Sequence, residues 1–258
     1  MANTVFSNAV IEAKAKDLLT TAVNTRNLMT VDNSLAESAG MTKTINVYTY
    51  TGTAEELAKG AKNSNKGAIS YVGNDYKVKR VQQTFDYNDD DYLMDNTIVD
   101  NMLKGANQVM VNKMTADFIG ECAKATTKHE IAGAFSYDGA VDAIAKLNLE
   151  SEADLFFVIP NAWKADLRKD EDYKAARMGE VVYNGQVGTA AGIPVITTNA
   201  LTDKGYIMTK EAVKLFMKKD VVVEQDRDIE TKENTIVLST YYICALADAT
   251  KICEITLA

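Results

Sequence analysis

Few side chains in this 258-residue sequence have both the type and the spacing that chemistry requires. Glycines at 185, 188 and 192 punctuate "GQVGTAAGIPVITTN", a stretch that could cradle a phosphate. Glu224, Asp226, Asp228 and Glu230 alternate in "VVVEQDRDIE". A period of two puts all four on one side of a strand, and carboxylates gathered there could bind Ca²⁺ or Mg²⁺. The single histidine, His129, would have to serve any Ser-His-Asp or Cys-His mechanism.

Each possibility meets a physical obstacle. A dinucleotide fingerprint needs GxGxxG after a strand and opening a helix, so that backbone N–H groups face the pyrophosphate. Here the spacing is GxxGxxxG, and the stretch runs through Ile193-Pro194 into a strand, with no Gly-Lys-Ser/Thr of a P-loop. Glycines so placed permit turns and close backbone approaches between two strands. Carboxylates on one face of a strand lie ~6.6 Å apart, too far to share an ion without other ligands. An acidic edge that meets lysines or arginines of a neighbouring subunit competes with the metal reading, and Arg227 belongs to the same stretch. His129 sits in polar "TTKHEIAG", which reads as a loop, and no GxSxG accompanies it. Cys122, Cys244 and Cys253 lie in apolar surroundings without CxxC spacing, as buried free thiols do. No catalytic, cofactor-binding or metal-binding residue is therefore assigned.

Composition narrows the classes further. Apolar residues at 47% and charged residues at 25% fit a globular protein with a substantial core. A net charge of −8 argues against whole-surface attraction to nucleic acid. No apolar run approaches the ~18 residues of a membrane span, and the first residues lack a hydrophobic signal core.

The elements that must position these residues follow from periodicity. Residues 8–24 read as an amphipathic helix with Val10, Ala13, Leu18 and Ala22 among its apolar positions. Residues 43–50 and 76–87 read as strands on either side of a polar tip, "TGTAEELAKGAKNSNKG", forming an arm that reaches from the body. Asn88 to Asp91 cap a long helix, along which Met94, Ile98, Met102, Ala106, Met110, Met114, Phe118 and Cys122 recur every fourth residue. Continuous to about residue 126, it would be on the order of 50 Å long, offering its drifting stripe to different neighbours, with Gly105 and Gly120 as candidate bends. The methionines read as core filling. "SYDGAVDAIAKLNLES" is helical, "ADLFFVIP" a buried strand, and "NAWKADLRKDEDYKA" a second helix. "IPVITTN" and "GYIMT" read as strands and "KEAVKLF" as a short helix. "VVVEQDRDIE", "NTIVLSTYYICALAD" and "TKICEITLA" close the chain in β-structure.

Taken in order, "DNSLAESAGMTKTINVYTYTG", "DLFFVIPNAWKADLRKDEDY", "NGQVGTAAGIPVITTNAL" and "VVVEQDRDIETKENTIVLSTYYICALAD" resemble the major capsid proteins of tailed bacteriophages. The resemblance, to the Hong Kong 97-type or Johnson fold, covers nearly the whole chain. It implies an α+β architecture with an N-arm (1–40), an extended β-hairpin loop (41–87), a peripheral domain with a long spine helix (88–135 and 226–258) and an axial α/β domain (136–225). Gly185, Gly188, Gly192 and Pro194 then shape an axial-domain loop.

The resemblance implies a non-enzymatic subunit that assembles into pentamers and hexamers of an icosahedral head around double-stranded DNA. No cofactor is implied. The DNA would be held weakly and without sequence specificity, and partners would include scaffolding, portal and decoration proteins. Assembly is expected in the bacterial host cytoplasm, away from any membrane, giving a virion shell. The alternative is an encapsulin-like nanocompartment that encloses a cargo protein. Candidate intersubunit residues are Glu55, Glu56, Lys59, Lys62 and Lys66 in the extended loop, and Glu224, Asp226, Arg227, Asp228 and Glu230. Two family traits are left open. Only about forty residues precede the loop, so removal of a scaffolding region either does not occur or is hidden by the sequence as given. Lysine–asparagine cross-linking could use the loop lysines, which solubility explains equally well.

Overall fold

The molecule is built from two sheets that share one helix, with a hairpin projecting from them. The structure, a computed structural model, describes Ile11, Lys14 and residues 25–37, 39–95, 97–149, 151–152, 154–176 and 188–258. The strands in chain order are β1 (Thr30–Asp32), β2 (Thr42–Thr51), β3 (Ala68–Lys77), β4 (Lys79–Asn88), β5 (Thr127–Ile131), β6 (Leu155–Pro160), β7 (Thr189–Ala190), β8 (Ile193–Thr198), β9 (Lys204–Thr209), β10 (Val213–Arg227), β11 (Glu233–Leu246) and β12 (Ile252–Leu257). The described helices are α1 (Asp89–Met94), α2 (Ile98–Cys122), α3 (Tyr137–Leu147), α4 (Trp163–Lys169) and α5 (Glu171–Ala176).

One sheet has four strands in the order β1-β10-β11-β4, the other six in the order β5-β12-β9-β6-β8-β7. In the six-stranded sheet, alternate residues of fully buried β6 serve two cores. Leu155, Phe157 and Ile159 pack with Trp163 and Leu167 of α4 and with Ala140 and Ala143 of α3. Phe156 and Val158 face the other way, towards Met114, Phe118 and Cys122 of α2. Helix α3 is defined at both ends: Ser136 Oγ accepts from Gly139 N–H at 3.1 Å, and Asn148 closes it in the left-handed region.

Helix α2, about 37 Å long at 1.5 Å per residue, joins the two halves. Its first half buries Val99, Leu103, Ala106 and Met110 against Val221, Val223, Ile236 and Leu238 of the four-stranded sheet. Its second half packs Met114, Phe118 and Cys122 between both sheets. The drifting four-residue row thus meets different neighbours along its length.

Several expectations need correction. The helix does not run unbroken from Asn88: Asn88 caps α1 by accepting from Asp90 N–H at 3.1 Å, but α1 ends at Met94. Asp95 Oδ1 then takes the N–H and hydroxyl of Thr97, local bonds that compete with the helix. Met94 is consequently 87% exposed, while α2 passes through Gly105 and Gly120. The extended loop contains a strand the sequence hid. β2 pairs with β3, and β4 instead leaves to pair with β11. Gly73, Asn74 and Asp75 give β3 little intrinsic strand preference, so its form comes from pairing along β2. "KEAVKLF" begins β10 after a turn, with Val213, Leu215 and Met217 alternating on the face towards α2. His129 lies in β5, half-buried opposite Ile255.

Sheet membership also moves the expected boundaries. A division at residues 225 and 226 would cut continuous β10, and 252–257 pairs within the six-stranded sheet beside β5 and β9. Of the N-terminal helix, only Ile11 and Lys14 are described, both helical, with Lys14 Nζ 2.8 Å from Asp100 Oδ1. Val10, Ala13, Leu18 and Ala22 lie outside the described residues, as does Gly185.

Candidate assembly surface

Strand alternation gives the four-stranded sheet an inner face towards α2 and an outer face. The proximal part of that outer face is covered by the chain itself: Phe216, Ile243 and Ala245 pack with Leu35 and with Ile45, Tyr76 and Val78 at the hairpin root. Lys43 Nζ lies 5.2 Å from the Phe216 ring centroid, a cation–π contact at the same root.

The distal part of the outer face carries rows Val222–Ser239–Gln82, Glu224–Val237–Thr84 and Asp226–Thr235–Asp86, each crossing β10, β11 and β4. Glu224 and Asp226 therefore share a side, as their spacing predicts, and both are exposed. Asp86, from a different segment, joins them and was invisible to linear spacing. Asp228 and Glu230 do not belong to this row, because β10 ends at Arg227. Asp228 Oδ1 accepts from Glu230 N–H at 2.8 Å and Thr231 N–H at 3.4 Å, organising the turn to β11. Those bonds hold its carboxyl below the usual range.

Arg227 faces inwards and is engaged within the chain. Its Nη2 lies 2.7 Å from Asp89 Oδ2, while Asn234 Nδ2 donates to Asp89 Oδ1 at 2.8 Å. The Asn234 hydrogen bond, with the Arg227 guanidinium, lowers the Asp89 pKa. This tether fixes α1 to the tip of the four-stranded sheet.

Hairpin β2–β3 projects with both faces open beyond its root. On one face Tyr48 pairs across the strands with Tyr71, ring centroids 6.1 Å apart, and Tyr50 pairs with Ile69. Val47 and Val72 pair on the opposite face. Tyr48, Tyr50, Ile69, Tyr71 and Val72 are each 66–69% exposed. At the tip Glu55 is committed locally, accepting from Ser64 N–H at 3.2 Å and Oγ at 3.3 Å. Glu56, Lys59, Lys62 and Lys66 are exposed and make no ion pair among the described residues. A Cβ on Gly52 or Gly67 would fall on the Tyr50 ring, so these glycines let the aromatic cover the tip's base.

From Gly188 onwards the glycine stretch forms a tight hairpin. Ala191 (φ +51°) and Gly192 (φ +79°) link β7 to β8, both in the left-handed region that two-residue turns use. Val195 N–H donates to Gly188 O at 3.0 Å, and Pro194 occupies the Thr189 pairing position. The sequence leads from these glycines into a strand, with no helix N-terminus to hold a phosphate.

The remaining reactive groups are set apart. Burial pushes the Cys244 thiol up to about 12 and that of Cys253 to about 11, and raises Cys122 well above its ordinary value. All three cysteines are free and buried. Among the described residues no group of three or more His, Cys, Asp or Glu side chains is arranged to hold a metal ion. No described helix is long and apolar enough to cross a membrane.

No family model matches the chain. It is 27% identical over 237 residues to the major capsid protein of Staphylococcus phage phiMR11, covering 88% of this chain and 84% of that protein. Among solved structures, the capsid of cyanophage P-SCSP1u superposes with a TM-score of 0.69 at 16% identity, covering 90% of this chain and 86% of that one. A virus-like particle from Pyrococcus furiosus superposes at 0.68 with 12% identity, covering 97% and 100%. The chain has the α+β Hong Kong 97-type capsid fold.

Proposed function

We infer that this chain is the major capsid protein of a phage, a structural subunit that self-assembles into a virion shell. One observation carries the inference: similarity to a phage major capsid protein extends over 88% of the chain, on a fold shared with assembled capsids. The chain's role is structural rather than catalytic. Its finer organisation follows the same reading. The six-stranded sheet with α3–α5 forms the axial unit, the four-stranded sheet with α2 the peripheral unit, β2–β3 the extended loop, and residues 1–40 the N-arm. The β7–β8 turn belongs to the axial unit.

Subunits gather as pentamers and hexamers in an icosahedral head around double-stranded DNA. The charge of −8 suits a container that does not grip its genome along the whole inner surface. Scaffolding, portal and decoration proteins are the other partners, and assembly takes place in the host cytoplasm. Light scattering and negative-stain electron microscopy of the purified chain test the reading. Closed shells or capsomers of five and six are expected; a 28.2 kDa monomer at every concentration and salt tried would overturn it. Likeness to the Pyrococcus virus-like particle favours a second reading, a protein-filled compartment. Particles from the native host that contain a cargo enzyme in place of DNA would select it.

A further inference from the structure

Two pairs of lysines share one arrangement. Lys79 of β4 and Lys113 of α2 both donate to Asp117 Oδ1, at 3.0 and 3.1 Å. Lys204 of β9 donates to Glu254 Oε1 of β12 at 3.0 Å, and Lys128 of β5 lies 3.6 Å from the same oxygen. The acids are hidden, with side chains 7% and 2% exposed, whereas the four lysine side chains are 47–62% exposed. Each pair therefore carries one positive charge in excess and turns that sign to solvent. Lys124, by contrast, meets Glu121 one to one and adds no excess.

The acids also keep the lysines in place. A buried carboxylate stripped of its cations is strongly destabilising. Glu254 holds its lysines at Oε1 alone, because buried Oε2 has no partner. The side chains are thus ordered before any ligand arrives, which lowers the cost of binding. Two ammonium groups that converge on one oxygen are close enough to take a single phosphate group between them.

Both pairs belong to the α2 side of the molecule. Lys113 is on the helix itself. Glu254 alternates with Cys253 and Ile255, so it shares the face of Tyr206 and Ile252 that packs with α2. A repeating polyanion makes the same contact at separate points, and the rest of a chain at −8 offers it no broad attraction.

We propose that Lys79 with Lys113, and Lys128 with Lys204, are two phosphate-backbone contacts for double-stranded DNA. The proposal rests on the capsid reading and resolves its weak genome contact into two discrete points. Each pair holds one phosphate. No base is read, so binding is independent of sequence and weakens as salt rises.

Lysine acetylation read by mass spectrometry tests it on the full chain, in free subunits, empty shells and DNA-filled shells. The four lysines are expected to react alike in subunits and empty shells, and to lose about threefold or more in reactivity in filled ones. Equal protection in empty and filled shells would assign the pairs to an acidic neighbouring protein. Equal reactivity in all three states would leave them without a ligand. Either result overturns the proposal and leaves the capsid reading standing, whereas a chain that forms no shells removes both.

The variants K79M/K113M/D117N and K128M/K204M/E254Q remove each cluster as a unit, so that no buried charge is left unpaired. Both are expected to form shells. In unassembled subunits titrated with a short random-sequence duplex, each should lower the slope of log affinity against log salt by about 0.9, the share of one phosphate. Unchanged slopes in both folded variants would overturn the assignment. Acetylation needs no substitution, so it decides the case where a variant fails to fold.

Discussion

Tyr242 on β11 donates its hydroxyl to Asp117 on α2 at 2.9 Å, pinning the long helix to the inner face of the four-stranded sheet. Lys79 of β4 and Lys113 of α2 donate to the other oxygen at 3.0 and 3.1 Å. Burial pushes the Asp117 carboxyl up, but these three donors outweigh it and hold it below the ordinary carboxylate range. Desolvation and the adjacent carboxylate raise the Tyr242 phenol. Both groups therefore keep their hydrogen-bonding forms at neutral pH.

Asp117→Asn is expected to lower stability by about 2 kcal/mol at pH 7, because a buried charge-assisted network loses its negative charge and one of its two acceptor oxygens, while both lysines stay half-exposed and can resolvate. The folded-state pKa is depressed, so this contribution is fully present above the unfolded carboxylate value of about 3.9 and lost as pH falls through the lower folded value. Urea melts from pH 7 to about pH 2 should show the difference between variant and original chains narrowing only below the unfolded carboxylate value. A constant difference would remove the titrating role of Asp117.

This pin was only half legible in the sequence. The apolar row of α2 identifies the helix, but Asp117 lies outside that row, and its partners come from β4 and β11, distant in sequence. The same limit hid Asp86. Alternation within one segment placed Glu224 and Asp226 on one side, whereas only cross-strand register brings in a residue from β4. Linear alternation also overran the strand end, because Asp228 bonds to the turn backbone in place of continuing β10. The β7–β8 turn and buried β6 were legible because their signals, Gly-Ile-Pro and a continuous apolar run, are local. β3 was not, since its form depends on β2 beside it.

Ala191 sits in the left-handed region without the freedom of glycine. Ala191→Gly is expected to relieve about 1 kcal/mol of backbone strain, partly offset by unfolded-state entropy, and to leave the melting temperature unchanged or slightly higher. Gly192→Val places a β-branched residue at φ +79° and should destabilise by about 2 kcal/mol or more. Calorimetry on unassembled subunits reads both changes, and a neutral Gly192→Val would show that the turn had rearranged.

The tether between Arg227 and Asp89 holds α1 against the sheet tip. Both side chains are about a quarter exposed, so solvent screening limits their coupling, and a double-mutant cycle with Asp89→Asn and Arg227→Gln should give a small favourable coupling that weakens with added salt. Asn234→Ala removes the second donor to Asp89 and should expose the amides of α1 to faster hydrogen exchange. Unchanged exchange in α1 would place the anchor elsewhere, in the Asp89 N–H bond to Lys232 O.

The hairpin should be separable from the fold of the subunit. Its root contacts the body through Ile45, Tyr76 and Val78, but residues from Thr51 outward bury almost nothing against their own chain. Replacing residues 54–65 with a short Gly-Ser linker is therefore expected to leave near-native circular dichroism and a melting temperature within a few degrees. Shell formation should fall sharply, because Lys59, Lys62 and most of the tip are removed while the two cores are untouched. Hydrogen exchange supplies the independent check. Backbone amides of 52–67 are largely without strand partners and should exchange freely in subunits held at low concentration. In shells the same amides should be protected if a neighbouring copy lies over them. Equal protection in both states would mean that the tip packs on its own body, and normal assembly of the linker variant would remove the hairpin tip from the interface.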